Sequence, residues 1–315
     1  MLTDQKNCQE PVSTEQPHRL IGISLLPAAA TLGNLLCGFA AIFCCLLAIR
    51  AEYAQSFNIQ PRVFYTRLEQ LFPTHVAAGA YLIVLAMVFD ALDGRLARIT
   101  RRTSEFGAQL DSIADIVSFG IAPIVLFVTM LLRPLASSAL EVPDVSRLQF
   151  RVGIICALVY VSCAAIRLAR YNAENVKTEA AQRRFSGLPS PGAAAAVVAL
   201  IAMHEHLRNS GAVAVAEWAN LSRWGIAAAA FAVGLLMVSR LDYVHVFNVY
   251  VRRKHPPTHL VWLVVILALG VYSFELLLVT LAFAYVISGL VLNIVRRARA
   301  VPAGEAVESA PPSGD

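Results

Sequence analysis

Asp90–Asp115 reads DALDGRLARITRRTSEFGAQLDSIAD. It sets four aspartates, Asp90, Asp93, Asp111 and Asp115, at the facing edges of two apolar runs, with a short basic link between them. Helical spacing turns that pattern into a shape. Asp90, Asp93, Gly94 and Ala97 recur at intervals of three, four or seven, so they share one helix face. Gly107, Asp111 and Asp115 recur at intervals of four and share one face of the next helix. The link from Arg98 to Glu105 is short and polar. The two helices are therefore expected to be antiparallel neighbours whose four carboxylates meet in one pocket near a membrane surface.

The membrane follows from the rest of the chain. Of 315 residues, 57% are hydrophobic and 15% charged, and the mean hydropathy is +0.62. Soluble domains carry about 45–50% apolar and about 25% charged residues. Here the apolar excess falls in runs that reach the roughly 20 residues a bilayer-spanning helix needs. Spans are expected near 24–49, 75–97, 108–132, 152–170, 190–206, 224–241, 258–273 and 275–295. The fold class is thus all-α, a polytopic membrane helix bundle of about eight transmembrane helices. Residues 1–20 read as a polar N-terminal tail, 21–297 as one integral membrane domain, and 298–315, rich in Ala, Pro, Gly and Glu, as a disordered tail. The turn between the last two spans has only Gly270, Ser273 and Glu275 to mark it. The first twenty residues are polar, so no cleavable signal peptide is expected.

Charge sets the orientation. With the N-terminus inside, most of the 26 Lys and Arg fall on the inner side. They include Lys6 and Arg19, the cluster Arg95, Arg98, Arg101 and Arg102, the run Arg167, Arg170, Lys177, Arg183 and Arg184, and Arg296, Arg297 and Arg299. The positive-inside rule then puts both termini and the aspartates on the cytoplasmic side of the cell (inner) membrane. The net charge of +5 is accounted for by topology and lipid headgroups, so no nucleic-acid partner is expected. Six cysteines are present, five of them inside apolar runs and none in a C-x-x-C pair. They read as small buried hydrophobes.

Four acids gathered in a low-dielectric setting are very costly without counter-charge. Divalent cations resolve this. Magnesium and manganese take hard oxygen ligands, and two such ions bridged by carboxylates clamp a diphosphate and hold the charge on its leaving oxygen. Gly94, Ala97 and Gly107 leave room for a bulky ligand beside the backbone, and Arg98 offers a planar fork for phosphate. A reading of another class, a transporter whose acids hold a permeating cation, would favour internal repeats and broken helices near the midplane. No internal repeat is found, and the acids lie at one end.

The same stretch resembles the signature of the CDP-alcohol phosphatidyltransferase family, D-x2-D-G-x2-A-R-x8-G-x3-D-x3-D. Its fixed positions are Asp90, Asp93, Gly94, Ala97, Arg98, Gly107, Asp111 and Asp115. The resemblance implies that Asp90, Asp93, Asp111 and Asp115 bind two divalent metals and that Asp115 is the general base on an incoming alcohol. It implies a nucleotide-lipid site that includes Gly94, Ala97, Arg98 and Gly107. Ser104, and Thr31 and Asn34 in TLGN, look like the family's polar contacts to the same substrate. The segment RRFSGLPSPGAAAA (Arg183–Ala196) and LMVS (Leu236–Ser239) resemble the branch that uses L-serine. Gly192 stands where a proline is usual in that branch. CDP-diacylglycerol and L-serine are then the expected substrates, phosphatidylserine and CMP the products, and a homodimer the expected assembly. Inositol phosphate and glycerol phosphate remain alternative acceptors.

In GLPSPG, Ser190 is a good N-cap and Pro191 a good first helical residue, so a span should begin there facing an anion. In RLARYN, Arg167 and Arg170 are candidates for the serine carboxylate. His204 and His206 in MHEH read as a surface pair at the far end. Trp218, Trp224 and Trp262 read as interfacial anchors. The outer segment from Ala51 to Pro73 is too polar to span.

Overall fold

The computed structural model describes residues 21–56, 74–100, 105–133, 143–175, 187–209, 215–241, 243, 270 and 272–300. Helix α1 is Ile21–Ser56 and α2 is His75–Thr100. Helix α3 (105–132) is continuous but not uniform: Glu105–Asp115 is α-helical, Ile116–Ile121 is π-helical, and Ala122–Leu132 is α-helical again. Helix α4 is Pro143–Asn175, α5 is Ser190–Asn209, α6 is Val215–Val238 and α7 is Phe274–Ala300. All secondary structure among the described residues is helical. In lipid that is the expected solution, because a helix satisfies its own backbone polar groups.

Among the described residues, six helical segments are long and apolar enough to cross a membrane: Pro27–Glu52, His75–Leu96, Phe106–Leu132, Arg147–Ala173, Asn220–Val238 and Phe274–Val295. These correspond to six of the expected spans. The sixth expected span is displaced: the helix starts at Val215 and the chain leaves helical geometry at Ser239. Arg223 does not mark a membrane edge, because it is buried and donates to the Arg133 carbonyl at 2.6 Å. The expected span 190–206 is α5, which is less apolar and lies inside the bundle. Eleven of its 20 residues are buried, and it packs against α2, α3, α6 and α7. Residues 258–269 of the seventh expected span, Ser104, Trp262, and the tails 1–20 and 301–315 lie outside the described residues.

From α1 to α6 successive helices alternate in direction, whereas α6 and α7 run the same way. Glu275 at the start of α7 accepts from Tyr81 near the start of α2 and lies 3.5 Å from His206 near the end of α5. The end of α6, by contrast, meets the start of α5. The end of α6 and the start of α7 thus lie at opposite faces of the bundle.

The core is built from small side chains. Ala41, Ala80, Ala86, Ala122, Ala164, Ala193, Ala194, Ala196 and Ala230 are fully buried among Ile83, Phe119, Phe127, Tyr160 and Ile201. Small residues let helices approach closely where no water is present to drive them together. Gly38 is one case: a Cβ there would press on the backbone and side chain of Ser118. That approach brings α1 against the π-helical turn of α3. Large apolar side chains such as Phe39, Leu46, Ile155, Leu158 and Ile294 point outward, as a lipid-facing surface demands.

Candidate active site

The polar end of α2 and the first turns of α3 carry the acids. Asp90, Asp111 and Asp115 bring one carboxylate oxygen each to within 4.8 Å of one another. Asp93 is buried on the same end of α2 and accepts a hydrogen bond from the Thr31 hydroxyl. Thr31 also contacts the Pro27 carbonyl at 3.1 Å, a bond back along its own helix. One turn further along α1, Asn34 is fully buried and its Nδ2 donates to Asp115 Oδ1 at 3.3 Å. The TLGN segment therefore reaches two of the four aspartates.

Asn34 supplies a test of whether this site suits a metal. Its Oδ1 is buried and has no hydrogen-bond partner. Buried polar atoms in native proteins are paired nearly always. An orphaned amide oxygen beside three converging carboxylates is a set of hard oxygen donors, which is what magnesium or manganese takes. The residues fit a divalent cation on geometry and donor chemistry alike.

The π-helical turn begins at the residue after Asp115. Such turns widen the helix by one residue and leave backbone groups to be satisfied from outside. Tyr160 of α4, fully buried, donates its hydroxyl to the Phe119 carbonyl at 2.8 Å. Ser118 donates to the Asn34 carbonyl at 2.9 Å. Asp115 is thus held through its own helix by contacts to α4 and α1. Ser112, between the two aspartates of α3, is tied to Asn172 of α4 at 3.0 Å.

Arg167 of α4 donates from Nη1 to the Ser190 hydroxyl at 2.8 Å. It is the cation in the electrostatic field of Asp115, shared with Tyr171 and Tyr285. Arg170, one turn on, donates to the Val238 carbonyl at 3.3 Å, at the C-terminus of α6. Of the other residues named from the sequence, Gly94 is exposed and Gly107 partly exposed at the mouth of the acid cluster. Ala97 and Arg98 lie on the last turn of α2.

The two segments noted separately in the sequence, GLPSPG and LMVS, meet here. Gly187 N donates to the Leu241 carbonyl at 2.8 Å and Leu188 N to the Leu236 carbonyl at 3.0 Å. Gly187 has φ +98°, and a Cβ there would run into the carbonyls of Met237 and Ser239. Only glycine adopts that conformation readily. Ser190, expected as an N-cap, is the first residue of α5, and the Pro189 carbonyl accepts from Ala193 N at 3.0 Å. Arg167, through Ser190, and Arg170, through Val238, both bond to this platform.

Sequence reasoning put His204 and His206 on the surface. His206 is half exposed, but His204 is 2% exposed with its Nδ1 2.6 Å from the Ser222 hydroxyl. The polar look of MHEH misleads because α5 lies inside the bundle. Tyr160, Ser118 and Asn172 also escaped notice as site residues; each is a single polar side chain without a spacing pattern to expose it.

Comparison with known proteins agrees with this geometry. Residues 24–236 match the family model described as CDP-alcohol phosphatidyltransferase. The chain is 37% identical over 130 residues to a CDP-diacylglycerol–serine O-phosphatidyltransferase of Mycobacterium tuberculosis, 40% of each chain. It is 34% identical over 163 residues to one of Methanocaldococcus jannaschii, covering 51% of this chain and 61% of that one. With one of Bacillus subtilis the identity is 30% over 178 residues, 56% of this chain and 76% of that one. The aligned stretch spans less than half of the mycobacterial relative's length. The family match, by contrast, runs through α1 to α6 and takes in every aspartate of the cluster, and on that extent the chain belongs to the CDP-alcohol phosphatidyltransferase family.

Proposed function

We propose that the protein transfers the phosphatidyl group of CDP-diacylglycerol to the hydroxyl of L-serine, giving phosphatidylserine and CMP. The observation that carries this reading is the convergence of Asp90, Asp111 and Asp115 within 4.8 Å beside the orphaned Asn34 oxygen. That site suits a diphosphate brought in with cations. The choice of serine rests on the names of the relatives and on the GLPSPG–LMVS platform beside Arg167.

In this reading Asp90, Asp93, Asp111 and Asp115 hold divalent cations, magnesium or manganese and two in number. When bound, they supply charge neutralisation on the diphosphate and its leaving oxygen. Thr31 fixes the Asp93 carboxylate and Asn34 fixes that of Asp115. Arg98, Ala97, Gly94, Gly107 and Ser104 form the nucleotide side of the site. Asp115 accepts the proton of the serine hydroxyl. The serine oxygen bonds to the phosphorus that bears diacylglycerol, the bond from that phosphorus to the CMP oxygen breaks, and CMP departs. Arg167 takes the serine carboxylate, and Arg170 braces the neighbouring end of α6. The reaction face and both termini lie on the cytoplasmic side of the inner membrane, the orientation favoured by the Lys and Arg distribution. The family resemblance supports a homodimer.

The test is CMP release by the purified protein given CDP-diacylglycerol, magnesium or manganese, and one labelled acceptor at a time. Serine should become labelled lipid, while inositol phosphate and glycerol phosphate should not. Labelled lipid from either phosphorylated acceptor, with none from serine, overturns the assignment. No CMP from any acceptor would return the transporter reading to first place.

A further inference from the structure

Two tyrosines that no motif covers stand at the acid end. Tyr243 follows α6 on the platform. It is 7% exposed, and its hydroxyl is buried with no hydrogen-bond partner. Burial pushes its phenol above the ordinary tyrosine value, so it is a neutral donor and acceptor at physiological pH. Its ring rests on Gly289 of α7, where any Cβ would collide with it. Tyr285, one turn earlier on α7, rests its ring on Gly192 of α5, 2.7 Å from where a Cβ would stand. The two ring centroids are 6.0 Å apart with planes tilted by 45°. Two phenols seated on two glycines have little freedom to move.

Arg167 links this pair to the reaction. Tyr285 lies in the field of both Tyr243 and Arg167, and Arg167 in that of Asp115. Arg167, the Ser190 hydroxyl it bonds and the Tyr285 ring over Gly192 thus gather at the start of α5, with the Tyr243 ring 6.0 Å from that of Tyr285. A free amino acid presents a carboxylate and an ammonium on one carbon. The carboxylate matches the guanidinium fork. The ammonium matches a phenol oxygen and the face of a tyrosine ring. A phosphorylated alcohol would instead need further cations here.

We infer that Tyr243 and Tyr285 are the specificity-determining residues for the acceptor, holding the ammonium of the amino acid while Arg167, braced by Ser190, holds its carboxylate. This rests on the phosphatidyl-transfer reading above. It adds the residues that select an amino acid over a hydroxy acid or a phosphorylated alcohol.

The experiment uses the full chain in detergent–lipid micelles with CDP-diacylglycerol and serine, reading CMP release. Tyr243→Phe and Tyr285→Phe keep the rings on their glycines. Loss of one hydrogen bond to a charged group should raise KM for serine about tenfold or more, while KM for CDP-diacylglycerol moves less than about twofold. Glycerate, which lacks the ammonium, should inhibit wild type weakly relative to serine, and that discrimination should shrink in Tyr243→Phe. Gly289→Ala, which unseats Tyr243 with its hydroxyl intact, should also raise KM for serine. Unchanged serine KM in both Phe variants overturns the inference, as does a parallel rise in both KM values. A wild-type chain that releases no CMP with serine overturns the acceptor reading as well. Serine-dependent release with indifferent tyrosines sinks only the tyrosine assignment.

Discussion

The two ends of this bundle hold charge in opposite ways. At the far end the acids Glu52, Glu205 and Glu275 each have a partner. Arg133 sits between Glu52 at 3.0 Å and Glu205 at 2.9 Å, and its own carbonyl takes a bond from Arg223. Glu275 is met by Tyr81, Ser273 and His206. At the acid end Asp90, Asp111 and Asp115 converge with Arg167 as the cation beside them, and the Asn34 oxygen has nothing to accept from. Both ends draw on α1, α2, α3 and α5, so the contrast is not one of different materials. In the pairing of its acids, one end is complete as folded. On the metal reading proposed above, the other becomes complete when cations bind.

Breaking the incomplete end should stop chemistry and spare the fold. Removal of divalent cations with a chelator should abolish CMP release, and added magnesium or manganese should restore it; persistent turnover in chelator would remove the metal reading. Asp115→Asn should lower kcat by about a hundredfold to ten-thousandfold, the range of a lost general base. CDP-diacylglycerol binding, followed by equilibrium dialysis with a labelled nucleotide-lipid, should be largely kept.

Breaking the complete end should do the reverse. Glu205→Gln removes one of the two carboxylates that hold Arg133, at a fully buried position, and leaves Glu52 as the other. Losing one member of an isolated buried pair destabilises by about 3–5 kcal/mol, and with Glu52 in place the cost here falls below that. A markedly lower thermal unfolding midpoint, with normal kcat for the surviving folded fraction, is the expected result. A kcat loss in the folded fraction would mean the two ends are coupled.

Tyr160→Phe probes the boundary between the two behaviours. It removes the one side-chain bond to the Phe119 carbonyl in the π-helical turn. About 0.5–1.5 kcal/mol rides on such a bond, so kcat should fall by up to about tenfold with KM for both substrates held. The smallest effect belongs to His206→Ala. His206 itself is half exposed, and a pair open to water on that side contributes about 0–1 kcal/mol. Neither the unfolding midpoint nor kcat should shift beyond that scale.

The acid cluster was legible because helical geometry demands fixed intervals. Asp90 to Asp93 and Asp111 to Asp115 announce a shared face before any coordinates exist. The spans were legible because lipid demands length. What escaped is long-range and solitary. GLPSPG and LMVS stand about fifty residues apart in the chain, and the backbone bonds between them leave no mark in either segment. The π-helical turn has no periodic signature, though Gly120 and Ser118 hint at a crowded place. Tyr243 and Tyr285 are lone aromatics whose meaning comes from Gly289 and Gly192 beneath them. His204 was misplaced because a polar string at a helix end looks wet, and only the packing of α5 reveals that it is dry.

The enclosure of α5 has a consequence for anyone tracing such molecules by oiliness alone. A rod ringed by its neighbours has little lipid to please, so it is free to carry the histidine, glutamate and arginine that an outer rod could not. A rule strict on charge would pass over it, because His204, Glu205, His206 and Arg208 crowd its last turns. The next helix, α6, would then be drawn upside down.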